Sequence, residues 1–264
     1  MNFKTFKFGK EIQEGLEMMG FVKATPIQEK AIPIIQNGKD LIACAQTGTG
    51  KTAAFVLPIL DKLTRVKQTN KVKVIMIAPT RELAQQIDRQ IEGFSYFTNL
   101  SSYPIYGGGT GSEFENQKQA LENGSDIIIC TPGRLMAHLR FNYFDTSEVE
   151  YLILDEADRM LNMGFYDDIM SIEKRLPKKR QNLLFSATMP QKIRTLASNL
   201  LVEHESITLA ISQPASGISQ SAYMLHDDQK VKLAREIIRE KGSDLSHILI
   251  FASSIKSVNK ITQN

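Results

Sequence analysis

The run Ala45-Gln46-Thr47-Gly48-Thr49-Gly50-Lys51-Thr52 constrains the chain more than any other stretch. It follows the apolar segment Leu41-Ile42-Ala43-Cys44, which reads as a buried strand, and precedes Ala53-Ala54-Phe55-Val56-Leu57, where a helical pattern begins. Strand, glycine turn and helix in that order form a concavity suited to phosphate. Gly48 and Gly50 permit a tight turn with inward-facing amides, and the helix behind them adds unsatisfied N–H groups and the positive end of its dipole. Lys51 would reach the β- and γ-phosphates of a nucleoside triphosphate, and the Thr52 hydroxyl would ligate Mg2+. Ala45 stands where such loops usually begin with glycine, so the reading requires an acidic metal ligand from a second motif.

That ligand is available. The apolar run Tyr151-Leu152-Ile153-Leu154 delivers Asp155-Glu156-Ala157-Asp158 at its carboxyl end. A lone acidic cluster is more often a solvated turn; beside Lys51 and Thr52, Asp155 becomes a holder of Mg2+, often through water, and Glu156 a base for the attacking water.

The remaining strands repeat the same grammar. Val72–Ala78 ends in Pro79-Thr80-Arg81-Glu82-Leu83-Ala84, with Thr80 placed to cap a helix carrying Leu83, Ile87 and Ile91 on one side. A strand over Ser101–Tyr106 is closed by Gly107-Gly108-Gly109-Thr110-Gly111, either a plain connection or a place where a polyanion backbone approaches closely. Asp126–Cys130 ends in Thr131-Pro132-Gly133-Arg134, and Asn182–Phe185 in Ser186-Ala187-Thr188. Ser186 and Thr188 are turn residues or, if the sheet order brings them to Asp158, a hydrogen-bonded link from the nucleotide site to a neighbouring loop. Apolar runs alternating with helices specify an α/β fold, a mostly parallel sheet covered by helices on both faces. Before the phosphate loop, Ile12, Leu16 and Met19 mark an amphipathic helix, and Gln28 opens a second, either as a helix-start residue or as an amide able to read an adenine edge.

A chain of 264 residues, 42% apolar and 23% charged, is globular, and its net charge of +3 permits nucleic acid without demanding it. Cys44 and Cys130 read as small buried hydrophobes, and His138, His204, His226 and His247 lack ligand spacing. Neither a signal peptide nor a membrane span is legible, which points to a cytoplasmic protein. Composition shifts at 211–218, a plausible linker. Beyond it, strands around Ser219–Leu225 and His247–Phe251 alternate with a helix near Gln229–Arg239 and the start of another. That is too little for a whole α/β domain, so the chain reads as truncated.

Taken together and in this order, these motifs resemble those of the DEAD-box ATP-dependent RNA helicases of superfamily 2, and the compact start points to a bacterial member. The match runs from Phe3 almost to the end of the chain. It implies a first RecA-like phosphate-loop NTPase domain over 1–210 and an incomplete second one over 219–264. The resemblance assigns adenine recognition to Gly20–Gln28, with Gln28 reading the base, Phe21 in the same segment, and Phe3 stacking near the ring. Gln46 to Thr52 would hold ATP, Thr52 and Asp155 Mg2+, and Lys51, Asp155 and Glu156 would carry the chemistry. RNA would be held mainly through its backbone by Pro79, Thr80, Arg81, Gly107, Gly108, Thr131, Pro132, Gly133 and Arg134, while Asp158, Ser186 and Thr188 couple the sites. Ala24 replaces the first proline of the family's adenine segment. The later motifs, which would supply arginine fingers and the other half of the RNA channel, are absent. The chain is therefore expected to be monomeric and to bind nucleotide without full activity. The alternatives are a DNA helicase or translocase, and a non-catalytic RNA-binding scaffold with a retained nucleotide site.

Overall fold

The computed structural model describes residues 1–67, 69–108, 111–141, 143–209, 219, 221–241 and 246–263. They form two compact units, Met1–Ile211 and Ser212–Asn264. The expected linker at 211–218 lies outside the described residues.

The first unit begins with a 3-10 turn, Phe3–Phe6, then α1 (Lys10–Met18) and α2 (Pro26–Gln36). Strand and helix then alternate: β1 (Leu41–Cys44), α3 (Lys51–Thr64), β2 (Val74–Ile77), α4 (Arg81–Phe94), β3 (Ser102–Ile105), α5 (Gly111–Asn123), β4 (Ile127–Cys130), α6 (Pro132–Leu139) and β5 (Tyr151–Leu154). Two short helices, α7 (Ala157–Asn162) and α8 (Tyr166–Glu173), precede β6 (Gln181–Ser186), α9 (Gln191–Leu200) and β7 (Glu205–Thr208). Among the described residues the strands make one sheet in the order β3-β4-β2-β5-β6-β1-β7, and every ladder in it is parallel.

Side-chain alternation along the strands divides the core. Leu41, Ala43, Val74, Met76, Ile153 and Phe185 pack with α1 to α4 on one face; Ile42, Ile75, Ile77, Leu152, Leu154 and Leu184 pack with α5 to α9 on the other. The first half of the chain therefore covers one face and the second half the other, which is the RecA-like α/β arrangement. Because the sheet is parallel, the segments following β1, β2, β4, β5 and β6 emerge at a common end. The register sets their spacing: Cys44 stands opposite Ser186, and Leu154 opposite both Leu184 and Ile77.

α1 crosses α4 closely enough that a Cβ on Gly15 would run into the Phe94 carbonyl. The contact continues through rings, Phe21 meeting Phe94 edge-on at 5.0 Å and Phe3 at 6.0 Å. At the opposite end of the sheet, Asp40 accepts from Asn182 N (2.7 Å), Asn182 Nδ2 (3.1 Å) and Val202 N (2.8 Å), clasping the starts of β1 and β6 to the turn before β7.

The described residues of the second unit hold two helices, α10 (Lys230–Lys241) and α11 (Ile255–Thr262). The strands expected around Ser219–Leu225 and His247–Phe251 are not formed among the described residues. A strand persists through its ladder, and the described part of this unit offers these segments no partner. Their apolar residues stand in solvent accordingly, Leu249 at 79% and Phe251 at 87% exposure.

Candidate functional site

After Cys44 the chain turns through the phosphate loop. Gly48 and Gly50 both have positive φ, 79° and 89°, the region glycine enters without steric cost, and Gly50 caps α3. Open space faces Gly48, whereas a Cβ on Gly50 would collide with the Gln28 amide. Gln28 is buried, and its amide is engaged at both ends: Oε1 accepts from Thr25 N at 2.8 Å, and Nε2 donates to Gly50 O at 3.0 Å. The glutamine thus closes the start of α2 and ties it to the phosphate loop, leaving one N–H and one lone pair for a further partner. Within the loop, Thr49 Oγ1 donates to Gln46 O at 2.7 Å. Lys51 is buried and donates to Ala45 O at 2.7 Å, so its ammonium lies inside the loop's own curve.

Across the cleft, Asp155 Oδ1 accepts from Glu156 N at 2.9 Å. Burial pushes the Asp155 carboxyl up to about 6; the Lys51 charge opposes that rise and the Glu156 charge adds to it. Glu156 has a φ of 51°, rare for a residue with a side chain and costing on the order of 1 kcal/mol. Its carboxylate lies 3.3 Å from Arg159 Nη1. Thr47, Gly48, Lys51, Thr52, Asp155 and Glu156 share one open cleft of about 280 Å³, with Phe21 in its wall. Phe3 does not reach it: its ring is buried against Phe6 and Phe21 and lines a separate cavity beyond Phe21.

Asp158 receives hydrogen bonds from Thr188 Oγ1 (2.7 Å), Thr188 N (3.1 Å) and Ala187 N (3.4 Å), while Ser186 Oγ donates to Thr188 O at 2.7 Å. Burial raises the Asp158 pKa, but the hydrogen bonds from Thr188, Ser186 and Ala187 outweigh it and leave the carboxyl below its usual range. The end of β6 is thereby bonded to the start of α7.

The candidate RNA residues gather at the same sheet end on other elements. Pro79 is buried, Thr80 Oγ1 caps α4 by accepting from Leu83 N at 3.3 Å, and Arg81 pairs with Glu82 at 2.7 Å. Thr131 N donates to Ile105 O at 3.0 Å, and Pro132 and Gly133 open α6. Arg81 and Arg134 flank the glycine turn: Arg81 Nη1 would lie 3.5 Å from a Cβ on Gly108, and Arg134 Nε 3.8 Å from one on Gly107. α4 borders both regions, Arg81 and Gln85 toward the glycine turn, Leu83, Gln86 and Gln90 toward the cleft. Gln86 and Gln90 escaped the sequence reading; the spacing of three and seven residues from Leu83 was their only signal.

The donor set suits a magnesium-bound nucleoside triphosphate: an amide-lined turn with open space at Gly48, a buried ammonium held at the loop, a hydroxyl beside it, and a buried carboxyl opposite. A glycine loop after one parallel strand, facing an acidic pair after another across a topological switch, defines a phosphate-loop NTPase of the RecA-like class. A family model described as DEAD/DEAH box helicase matches residues 25–196, and the chain belongs to that family. It is 39% identical over 262 residues to the ATP-dependent RNA helicase CshA of Listeria monocytogenes, covering 99% of this chain and 49% of that one. Over 262 residues it is 36% identical to the DEAD-box ATP-dependent RNA helicase CshA of Geobacillus kaustophilus, covering 99% and 55%. A crystal structure of a DEAD box protein from the hyperthermophile Methanococcus jannaschii superposes with a TM-score of 0.74 at 33% identity, over 100% of this chain and 69% of that one. The chain spans about half the length of the curated relatives it matches. No helix among the described residues is long and apolar enough to cross a membrane.

Proposed function

We propose that the chain is the ATP-binding part of an ATP-dependent RNA helicase, whose ATP hydrolysis drives duplex unwinding or the remodelling of RNA–protein complexes. In this reading 1–210 is the first RecA-like domain, 211–218 a linker and 219–264 the start of the second; the protein is cytoplasmic and this chain monomeric. The observation that carries it is the meeting of Lys51, Thr52, Asp155 and Glu156 in one cleft. Lys51 leaves Ala45 O to hold the β- and γ-phosphates, and the loop amides around Gly48 complete the cradle. Thr52 and Asp155 hold Mg2+, which neutralises phosphate charge when bound. Glu156 orients the attacking water and takes its proton. The spare N–H and lone pair of Gln28 serve the adenine edge, and Phe21 borders the base. Arg81, Arg134 and the Gly107-Gly108 turn contact RNA backbone, with Asp158, Ser186 and Thr188 transmitting between sites.

Turnover and nucleotide affinity together test the assignment in a chain of the relatives' full length. Glu156→Gln is expected to keep ATP binding and to lose roughly 10²-fold or more in turnover, because the base goes while the cradle stays. Near-normal turnover defeats the role of Glu156, and equal stimulation by DNA and RNA favours the translocase alternative.

A further inference from the structure

The surface beside Arg134 carries a group of aromatic rings to which the proposed roles give no work. Phe114 of α5 stacks on His138 of α6 at 4.2 Å with 13° between the planes, and the Arg134 guanidinium lies 5.2 Å from the Phe114 centroid. Phe141 meets Phe114 edge-on at 6.2 Å and stacks on Tyr143 at 6.2 Å with 16° between the planes. Yet Phe141 remains 66% exposed, so most of its ring stays open to solvent beside Tyr143 and Phe114. A single exposed apolar residue is ordinary. What sets this one apart is how its support is held and what lies next to it.

The support is a hydrogen-bonded chain that starts at the glycine turn. Gln117 Nε2 donates to the Tyr106 carbonyl at 3.0 Å, immediately before Gly107, and Gln117 Oε1 lies 3.0 Å from His138 Nε2. An amide oxygen only accepts, so Nε2 carries the histidine proton. Burial first, and the Arg134 charge second, hold the His138 pKa down at about 4, so near neutral pH Nδ1 is bare and accepts from the Tyr143 hydroxyl. Tyr143 is thereby fixed relative to the turn, and the ring stacked on it is fixed as well. Arg134 shares this surface; among the described residues no carboxylate lies within ion-pair distance of its guanidinium, which leaves it able to meet a phosphate.

We propose that Phe141 is a base-stacking residue: its open face takes an unpaired RNA base from the strand whose phosphates meet Arg134 and the Gly107-Gly108 turn. The inference rests on the RNA reading above and adds to it a contact with a base, where that reading has backbone contacts alone. Cation and ring side by side are the combination that holds single strands, and stacking tolerates any base because each has a π-face. RNA is favoured over a protein partner because the ring continues a surface of arginines and glycine amides.

The test is the affinity of a chain of the relatives' full length for a single-stranded oligoribonucleotide and for the same strand with abasic positions, in Phe141→Ala, Phe141→Tyr and Arg134→Ala forms. Phe141→Ala is expected to weaken the intact strand by about tenfold and to leave the abasic strand unchanged, while Phe141→Tyr retains affinity. The salt dependence of binding should stay as steep in Phe141→Ala and become shallower in Arg134→Ala. Thermal melting should not move for Phe141→Ala, whose ring is mostly in solvent. Equal losses for intact and abasic strands, or no loss for either, overturn the stacking role; the latter, with capture of a protein instead, makes the ring a protein contact. If the unaltered chain binds neither strand, the RNA reading itself falls and this inference with it.

Discussion

Asp155 is the residue at which burial and chemistry oppose each other most directly. Its carboxyl is pushed up to about 6 because it is buried, Lys51 only partly countering this, and a protonated carboxyl cannot ligate a cation. If Asp155 holds Mg2+ as proposed, a proton competes with the metal below that value: the metal-dependent part of nucleotide affinity is then present above pH 6 and lost as pH falls through it. Titrating nucleotide with and without Mg2+ from pH 5 to 8 should show this metal increment falling by roughly tenfold per pH unit at the acid end. Asp155→Asn should make the pH dependence of the increment shallower, leaving only the titration of the triphosphate itself; an increment equally pH-dependent in the variant would place the titrating group elsewhere. That Lys51, Thr52 and the acidic pair would share one cleft was legible because the phosphate and Mg2+ chemistry proposed for them fixes residue types at fixed offsets. What the sequence could not carry was their resting state. The hold of Ala45 O on Lys51, the engagement of both ends of the Gln28 amide, and the left-handed backbone at Glu156 depend on groups brought close only by the fold. Phe3, whose place near the adenine is what the family resemblance implies, is buried against Phe6 and Phe21.

Between elements, the crossing of α1 and α4 gives a case where two effects have opposite signs. Alanine is favoured over glycine inside a helix by roughly 1 kcal/mol, so Gly15→Ala should stabilise α1 if nothing else changed. Its Cβ, however, meets the backbone carbonyl of Phe94, which has no rotamer by which to withdraw. Overpacking of that kind costs about 1–3 kcal/mol, and the collision is expected to win. Thermal unfolding should show a lower midpoint for Gly15→Ala, and a raised midpoint would mean that the helices separate at little cost. The repeated strand–loop–helix pattern made β1, β2, β4, β5 and β6 legible, because both faces of these strands are covered and apolar runs fill them. β3, a half-buried edge strand, was legible from its place before the glycine turn. β7 gave no such signal: Ile207 alone of its four residues is buried, and the strand exists because β1 offers it a ladder. The apolar segments of the second unit show the converse. Strand-like composition at Ile248–Phe251 yields no strand where no ladder is offered.

For the whole molecule, holding nucleotide and using it are separable tasks. All the proposed phosphate and metal contacts lie within Met1–Ile211, whereas the chain spans about half the length of relatives such as CshA. In related phosphate-loop enzymes an arginine finger contributes about 10³ to 10⁵ in rate, and the family resemblance implies that such fingers lie in the part of the relatives' length that this chain does not span. The 264-residue chain should thus bind ATP or ADP, hydrolyse ATP slowly and fail to separate a duplex. The most direct measurement is the affinity of this chain for magnesium-bound ATP, beside its Lys51→Ala form, at a pH above 7. Binding should be measurable in the unaltered chain and weakened roughly 10- to 100-fold in the variant, the worth of a hydrogen bond to a charged group. No binding by a folded unaltered chain, or equal affinity in a folded variant, would contradict the claim that this cleft is a self-sufficient triphosphate site.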